Sequence, residues 1–275
     1  MKSMVLGIAL VVVLGLAVPA PADTIKFLEG GGTGFTNVPF DDGWIGVTEG
    51  EGLNATAHGT DDYNGLQAFT KASTWQGWHE VIVQVTLVGV KNLFDCVPLG
   101  STVSGASLHL FSYGTDSGGN RNGLVSRVTS DWMLSAAGAS ESDVSGLYRQ
   151  NSTTTQWAGG AGGFIWTLDT DYANQVGGTL SGGYNGESII DVTSIVQAMY
   201  SSGNNQGFAV RVVLDGNEPA YTVKTWTGRA SENGANQPWL EVTYTAGAVP
   251  EPASLLLLGT GALGVLGVVR RRWMK

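Results

Sequence analysis

The chain has 275 residues, 43% of them hydrophobic and 13% charged, with 41 Gly, nine Trp, eight Tyr and eight Phe. That composition excludes a disordered chain and allows one large domain or two small ones. The formal net charge is −9. Without the two terminal segments, residues 24–249 hold 9 basic and 21 acidic residues, a net charge of −12. Such a surface repels nucleic acid, so no nucleic-acid partner is expected. It tolerates cations, with Ca²⁺ the candidate outside the cell.

Residues 1–22 read as a signal peptide. Lys2 supplies the positive start and Val5–Val18 the apolar run. Ala20 and Ala22 supply the small residues of a cleavage site, with the cut expected after Ala22. A folded domain is expected over residues 24–246.

Within it, alternating segments predict strands. Val81–Leu87 is β-prone throughout. Ala106, Leu108 and Leu110 share one face, with His109 on the other as a solvated residue. Phe208–Leu214 alternates with Phe208, Val210, Val212 and Leu214 inward. Trp239–Tyr244 alternates with Leu240, Val242 and Tyr244 on one side. Residues 138–186 are loop-like but long for a connection, so weak strands are expected near Phe164–Leu168. A helix is predicted over Asp191–Tyr200, with Ser194 and Gln197 at capping-box spacing and Gly203 as its stop. Gly-rich turns between aromatic and β-branched runs make the fold class all-β.

The single cysteine, Cys96, excludes an intramolecular disulfide and lies beside Phe94 and Val97, as a buried inert thiol would. The histidines His58, His79 and His109 form no zinc-hydrolase pattern, and no Gly-x-Ser-x-Gly elbow or phosphate loop is present. No catalytic constellation is legible, so the chain reads as a non-enzyme. Asp41-Asp42 and Asp61-Asp62 read first as turn aspartates. Asp61, Asp62 and Asn64 could also supply part of the oxygen shell of a structural Ca²⁺. Trp75 and Trp78, three apart beside Gly77, are the best candidates for an exposed platform on which a sugar ring could stack; Trp132 and Trp239 read as core.

The C-terminus has three parts in order: Pro250-Glu251-Pro252, the uncharged apolar segment Ala253–Val269, and Arg270-Arg271-Arg272. The apolar segment would span about 26 Å as a helix, close to a bilayer core, with the arginines on the cytoplasmic side. The two prolines keep the junction extended and outside the following helix.

This ending resembles the PEP-CTERM sorting signal of Gram-negative bacteria that make extracellular polysaccharide. The resemblance implies processing by an exosortase-type enzyme at the segment 249–275. It also implies a transient inner-membrane anchor and a final place at the cell surface or in the matrix.

A second resemblance covers residues 81–244. Pro98–Leu110, Val125–Trp132, Asp191–Gln197, Asn204–Phe208 and Pro238–Tyr244 occur in the order seen in DNRLRE domains. The Arg-Phe pair of that family's early strand is absent, and Met199-Tyr200 replaces its tryptophan after the helix. The resemblance implies a jelly-roll-like β-sandwich with one short helix, and association with polysaccharide, since some members are carbohydrate-binding modules. A purely structural or adhesive surface protein is the alternative, and a polysaccharide lyase or hydrolase ranks last.

Overall fold

Long alternating runs dominate the sequence, and in the computed structural model they become long strands. The structure describes residues 21–28, 31–49, 64–73, 78–115, 123–133, 143–150, 152–159, 171–180, 186–212, 223–227 and 237–247. Residues 21–245 make one compact unit; residues 1–20 and 246–275 make another.

The described elements are β1 (Asp23–Leu28), β2 (Thr36–Asn37), β3 (Phe40–Glu49), β4 (Asn64–Ser73), β5 (Trp78–Val90), α1 (Leu93–Cys96), β6 (Thr102–Thr115) and β7 (Gly123–Val128). After them come β8 (Tyr148–Gln150), β9 (Thr155–Gln156), β10 (Tyr172–Leu180), β11 (Gly186–Asp191), α2 (Thr193–Ser202), β12 (Phe208–Val212), β13 (Val223–Thr227) and β14 (Trp239–Thr245).

The pattern is all-β. One sheet is ordered β2-β1-β14-β6, with β11 on the other edge of β6 and β13 extending the β14 edge. The other is ordered β10-β7-β12-β5, with β3 on the far edge of β5. β4 joins them: Asn64–Gln67 pair with β13 and Ala68–Ser73 pair with β5.

The main core lies between the sheets. Phe27, Val88, Val90, Leu108, Phe208, Val210, Leu240 and Val242 meet there with Ile195, Val196 and Met199 of α2. The alternation predicted for Ala106, Leu108 and Leu110 is present, with all three buried. Tyr244 is half-buried against this core, next to a register shift between Thr243 and Tyr244. A second core covers the opposite face of β5 and β12. Val85, Leu87 and Ala209 pack there against Trp132, Val144 and Trp157. β5 over Val85–Val90 and β12 over Phe208–Val210 are therefore buried on both faces, so apolar residues are not confined to alternate positions there.

The long segment after Trp132 supplies that second cover. β8 and β9 form a small hairpin, and the Trp157 indole N–H donates to the Ser145 carbonyl at 2.9 Å. Asp171, fully buried, anchors the hairpin: its carboxylate accepts from the Ala158 and Gly159 amides at 2.9 and 3.1 Å and from the Ser130 hydroxyl at 2.5 Å. The strands are β8, β9 and β10; Phe164–Leu168, where weak strands are expected, lies outside the described residues.

The α2 helix starts two residues later than predicted and ends at Gly203, which takes the left-handed conformation (φ 64°). The Ser194–Gln197 capping box does not form. The Asp191 carboxylate instead accepts from the Thr193 amide at 2.9 Å, and the Gln197 side-chain amide donates to the Val103 carbonyl at 2.9 Å. Tertiary contact with β6 outcompetes the local cap, because Gln197 faces the sheet rather than the helix start.

Candidate functional site

Polar and aromatic groups gather at more than one place on the domain. The first is a cavity of about 350 Å³ between the turn that follows β5 and the turn that follows α2, lined by Asn92, Asp95, Asn204, Asn205 and Gln206 together with Phe94. Local sequence explains its walls. Asn92 takes a left-handed conformation (φ 58°), which Asn tolerates better than most residues, and so turns the chain into α1. Gly207 (φ 70°) brings the second turn hard against β5: a Cβ there would meet the Val88 carbonyl and lie 2.7 Å from the Gly89 Cα.

The carboxamides in this cavity are half used. Asn205 Nδ2 donates to the Val90 carbonyl at 2.8 Å, and Asn204 Nδ2 donates to the Thr129 carbonyl at 3.3 Å. Gln206 Oε1 accepts from the Trp132 and Met133 amides at 3.2 and 3.4 Å. Among the described residues no partner is placed on Gln206 Nε2, a donor, or Asn204 Oδ1, an acceptor, which line the cavity beside the exposed Asn92 and Asp95. That set matches hydroxyl groups, each of which both donates and accepts. Behind the wall, Lys91 Nζ lies 2.8 Å from Asp41 Oδ2, both side chains almost fully buried, so the lysine charge is spent inside the fold. Asp41 is thus a paired strand residue of β3 rather than a turn aspartate.

The second place is the outer face of the β1-β14-β6-β11 sheet. Trp239 stands there, opposite His109, with its neighbours Leu240 and Val242 in the core. Its position corrects the expectation that it is a core residue. His109 is corrected as well: it is only 6% exposed, stacked on Trp239 with ring centroids 3.3 Å apart, and its Nδ1–H donates to Glu187 Oε1 at 2.7 Å. Burial holds its pKa below the usual imidazole range, although Glu187 pulls the other way. Phe35 meets Trp239 edge-on at 5.3 Å, and Lys26 lies 5.0 Å over the indole while pairing with Glu241 at 3.1 Å. Both sides of the Trp239 environment are therefore furnished by the protein, and the cluster reads as a covered patch on the sheet. Ile189, next to His109 in register, is 64% exposed.

The sequence-predicted residues fall elsewhere. Trp75, Asp61 and Asp62 lie outside the described residues. Trp78 opens β5 opposite Ser73, and Asn64 opens β4 opposite Trp226, both with side chains outside the description. Among the described residues no group of three or more His, Cys, Asp or Glu is placed to hold a metal ion. Trp132 is core as expected, its indole donating to the Gln206 carbonyl at 2.7 Å. Cys96 is half-buried against the main core, and burial together with Asp95 pushes its thiol pKa up, as an unreactive cysteine requires. The cavity escaped sequence reading because its residues come from two turns over a hundred positions apart; only the left-handed turn residues Asn92 and Gly207 signalled it.

Ala22 is exposed and stands just ahead of β1. Ala20, Pro250–Pro252 and Arg270–Arg272 lie outside the described residues, and among the described residues no helix is long and apolar enough to cross a membrane. No curated protein matches the chain. Residues 248–272, which include Pro250, Glu251, Pro252 and Arg270–Arg272, match the PEP-CTERM protein-sorting motif, and this motif marks the chain for export and exosortase-type sorting to the cell surface.

Proposed function

We propose that the chain is a non-catalytic surface or matrix protein whose β-sandwich associates with extracellular polysaccharide. In this reading it is exported through residues 1–22, anchored transiently in the inner membrane through 253–269, and processed at Pro250–Pro252. The sorting motif carries the cellular part of this reading. The open cavity at Asn92, Asp95, Asn204 and Gln206 supports the binding part: unspent carboxamide groups beside an aromatic ring suit a sugar's hydroxyls and its apolar edge. The ordered resemblance to DNRLRE domains points to the same ligand class.

The test is a glycan array on purified residues 23–247, with and without Ca²⁺. Binding that is lost in Asn92→Ala and Gln206→Ala while both variants keep the wild-type melting profile places the glycan in the cavity. Binding lost instead in Trp75→Ala or Trp78→Ala moves it to the β4–β5 hairpin. No binding under either condition replaces the glycan reading with a structural or adhesive one.

A further inference from the structure

The cavity at Asn92 and Gln206 has a charge as well as a polar wall. Among the described residues, the lysine and carboxylate that line it are Lys91 and Asp95. The Lys91 side chain is 6% exposed and the Asp41 side chain 4%, with Nζ 2.8 Å from Oδ2, so the ammonium faces a carboxylate inside the fold. Asp95 is exposed. The charge that this cavity shows to solvent is therefore negative.

The other cations with described side chains are committed elsewhere. Lys26 pairs with Glu241 at 3.1 Å, and Arg149 Nη1 donates to the Asp131 carbonyl. Arg127 Nη1 donates to the Ala198 carbonyl and the Ser202 hydroxyl, both at 3.1 Å, at the C-terminal end of α2. That end is the negative pole of the helix, and Arg127 is spent on it. An anion entering the cavity would lose water without gaining a charged partner, and Asp95 would repel it. A neutral sugar meets neither penalty. Its hydroxyls suit the carboxamides of Asn92, Asn204 and Gln206, and the Asp95 carboxylate is an acceptor for one more.

We infer that the cavity selects uncharged sugar chains and that Asp95 is the residue that rejects acidic ones. The inference rests on the reading of this cavity as a glycan site and names the class of glycan. The whole domain pushes the same way, since residues 24–249 carry a net charge of −12. That field is screened beyond about 8 Å at physiological salt, so the choice falls to the carboxylate at the cavity itself.

The test compares the full chain with Asp95→Asn and Asp95→Lys, in a detergent without sugar headgroups and with a chelator that removes bridging cations. The ligands are homopolymer chains of glucose, mannose and galactose, each matched with its uronate counterpart. Titration calorimetry reads the affinities. The parent should bind at least one neutral chain and hold the matching uronate at least about fivefold more weakly, the factor that two like charges about 4 Å apart produce in water. Asp95→Asn should narrow that ratio several-fold, whatever it does to the neutral affinity, and Asp95→Lys should invert it. Raising the salt should move the parent's ratio toward that of Asp95→Asn. Asn92→Ala should weaken the bound chains, which places the measured ratio in this cavity. A uronate held as tightly as its neutral partner, or a ratio that Asp95→Asn leaves unchanged, overturns the inference while the glycan site stands. No binding of any chain by the parent or the variants sinks the glycan reading itself, and the inference with it.

Discussion

The imidazole of His109 lies nearly parallel to the indole of Trp239, with centroids 3.3 Å apart and planes inclined by 17°. The contact joins β6 to β14 on the outside of the sheet, directly behind the buried pair Leu108 and Leu240. Its chemistry makes the domain sensitive to acid. Burial holds the His109 pKa below its ordinary value, so on acidification the unfolded chain takes up the proton first. Stability is full above about pH 6.5 and is lost as pH falls from there toward the lowered folded value. The melting temperature of residues 23–247 should drop between pH 7 and pH 5, and His109→Gln should flatten that part of the curve. An unchanged slope in the variant would assign the sensitivity to other groups.

A second acid window belongs to Asp191. Its hydrogen bonds from the Thr193 side chain and amide hold the carboxyl below the usual aspartate range. Stability from this contact is present above about pH 4 and is lost as pH falls through the depressed value. Asp191→Asn keeps a cap but removes the titration, so its stability should change less than the parent's between pH 4 and pH 2 in urea melts.

Lys91 and Asp41 form an ion pair out of water. Replacing one partner strands a buried charge, so Lys91→Met should cost about 3–5 kcal/mol. The double variant Asp41→Leu, Lys91→Met should recover most of that loss, since two apolar side chains carry no desolvation cost. Chemical denaturation of the parent, the two single variants and the double variant gives the comparison; a double-variant loss equal to the sum of the two single losses would mean the pair is not coupled.

Two left-handed glycines make opposite predictions. At Gly203 a Cβ meets nothing within 4 Å, so Gly203→Ala should cost only the backbone term of about 1–2 kcal/mol. At Gly207 the same Cβ strikes the Val88 carbonyl, adding a steric clash against backbone that cannot move aside. Gly207→Ala should therefore lose several-fold more stability than Gly203→Ala, and it should also disturb the Asn204–Gln206 wall of the cavity, visible as altered amide shifts for Trp132 and Met133.

Trp132 holds the second core to the second turn of the cavity through its bonds to Gln206. Trp132→Ala should cost about 3–5 kcal/mol. The loss should appear first as faster amide exchange in the β8–β9 hairpin, because Val144 and Trp157, which flank that hairpin, pack in the same cluster as Trp132 on the outer face of β5 and β12.

The parts of this fold that repeat every two residues were legible. Ala106, Leu108 and Leu110 face inward as their spacing requires, and so do Phe208, Val210, Leu240 and Val242. Gly203 stops its helix because no side chain opposes the left-handed turn there. What periodicity cannot convey is how many layers a strand lies under. Ala209, between two inward residues, is buried as deeply as they are, because the segment carrying Trp157 folds back over it. The same blindness placed Trp239 in the core and His109 in solvent: each is judged by its own strand, while their stacking depends on a register between strands over a hundred residues apart. The cavity at Asn92 and Gln206 belongs to this class too, since neither turn forms a site without the other.

β1 pairs antiparallel with β14, from Asp23 opposite Tyr244 to Phe27 opposite Leu240, and this ladder has a mechanical meaning. Force applied between the two ends of the domain would enter at Asp23 and Tyr244, where the strands begin and end together, and would open the ladder one pair at a time, like a zip. Strands loaded from opposite ends would instead resist by shearing many hydrogen bonds at once. A chain held at the surface by its C-terminal side and pulled through its N-terminal residue would peel open at low force. If the protein bears load in the matrix, that load has to arrive through the faces of the sheets, leaving the first strand slack.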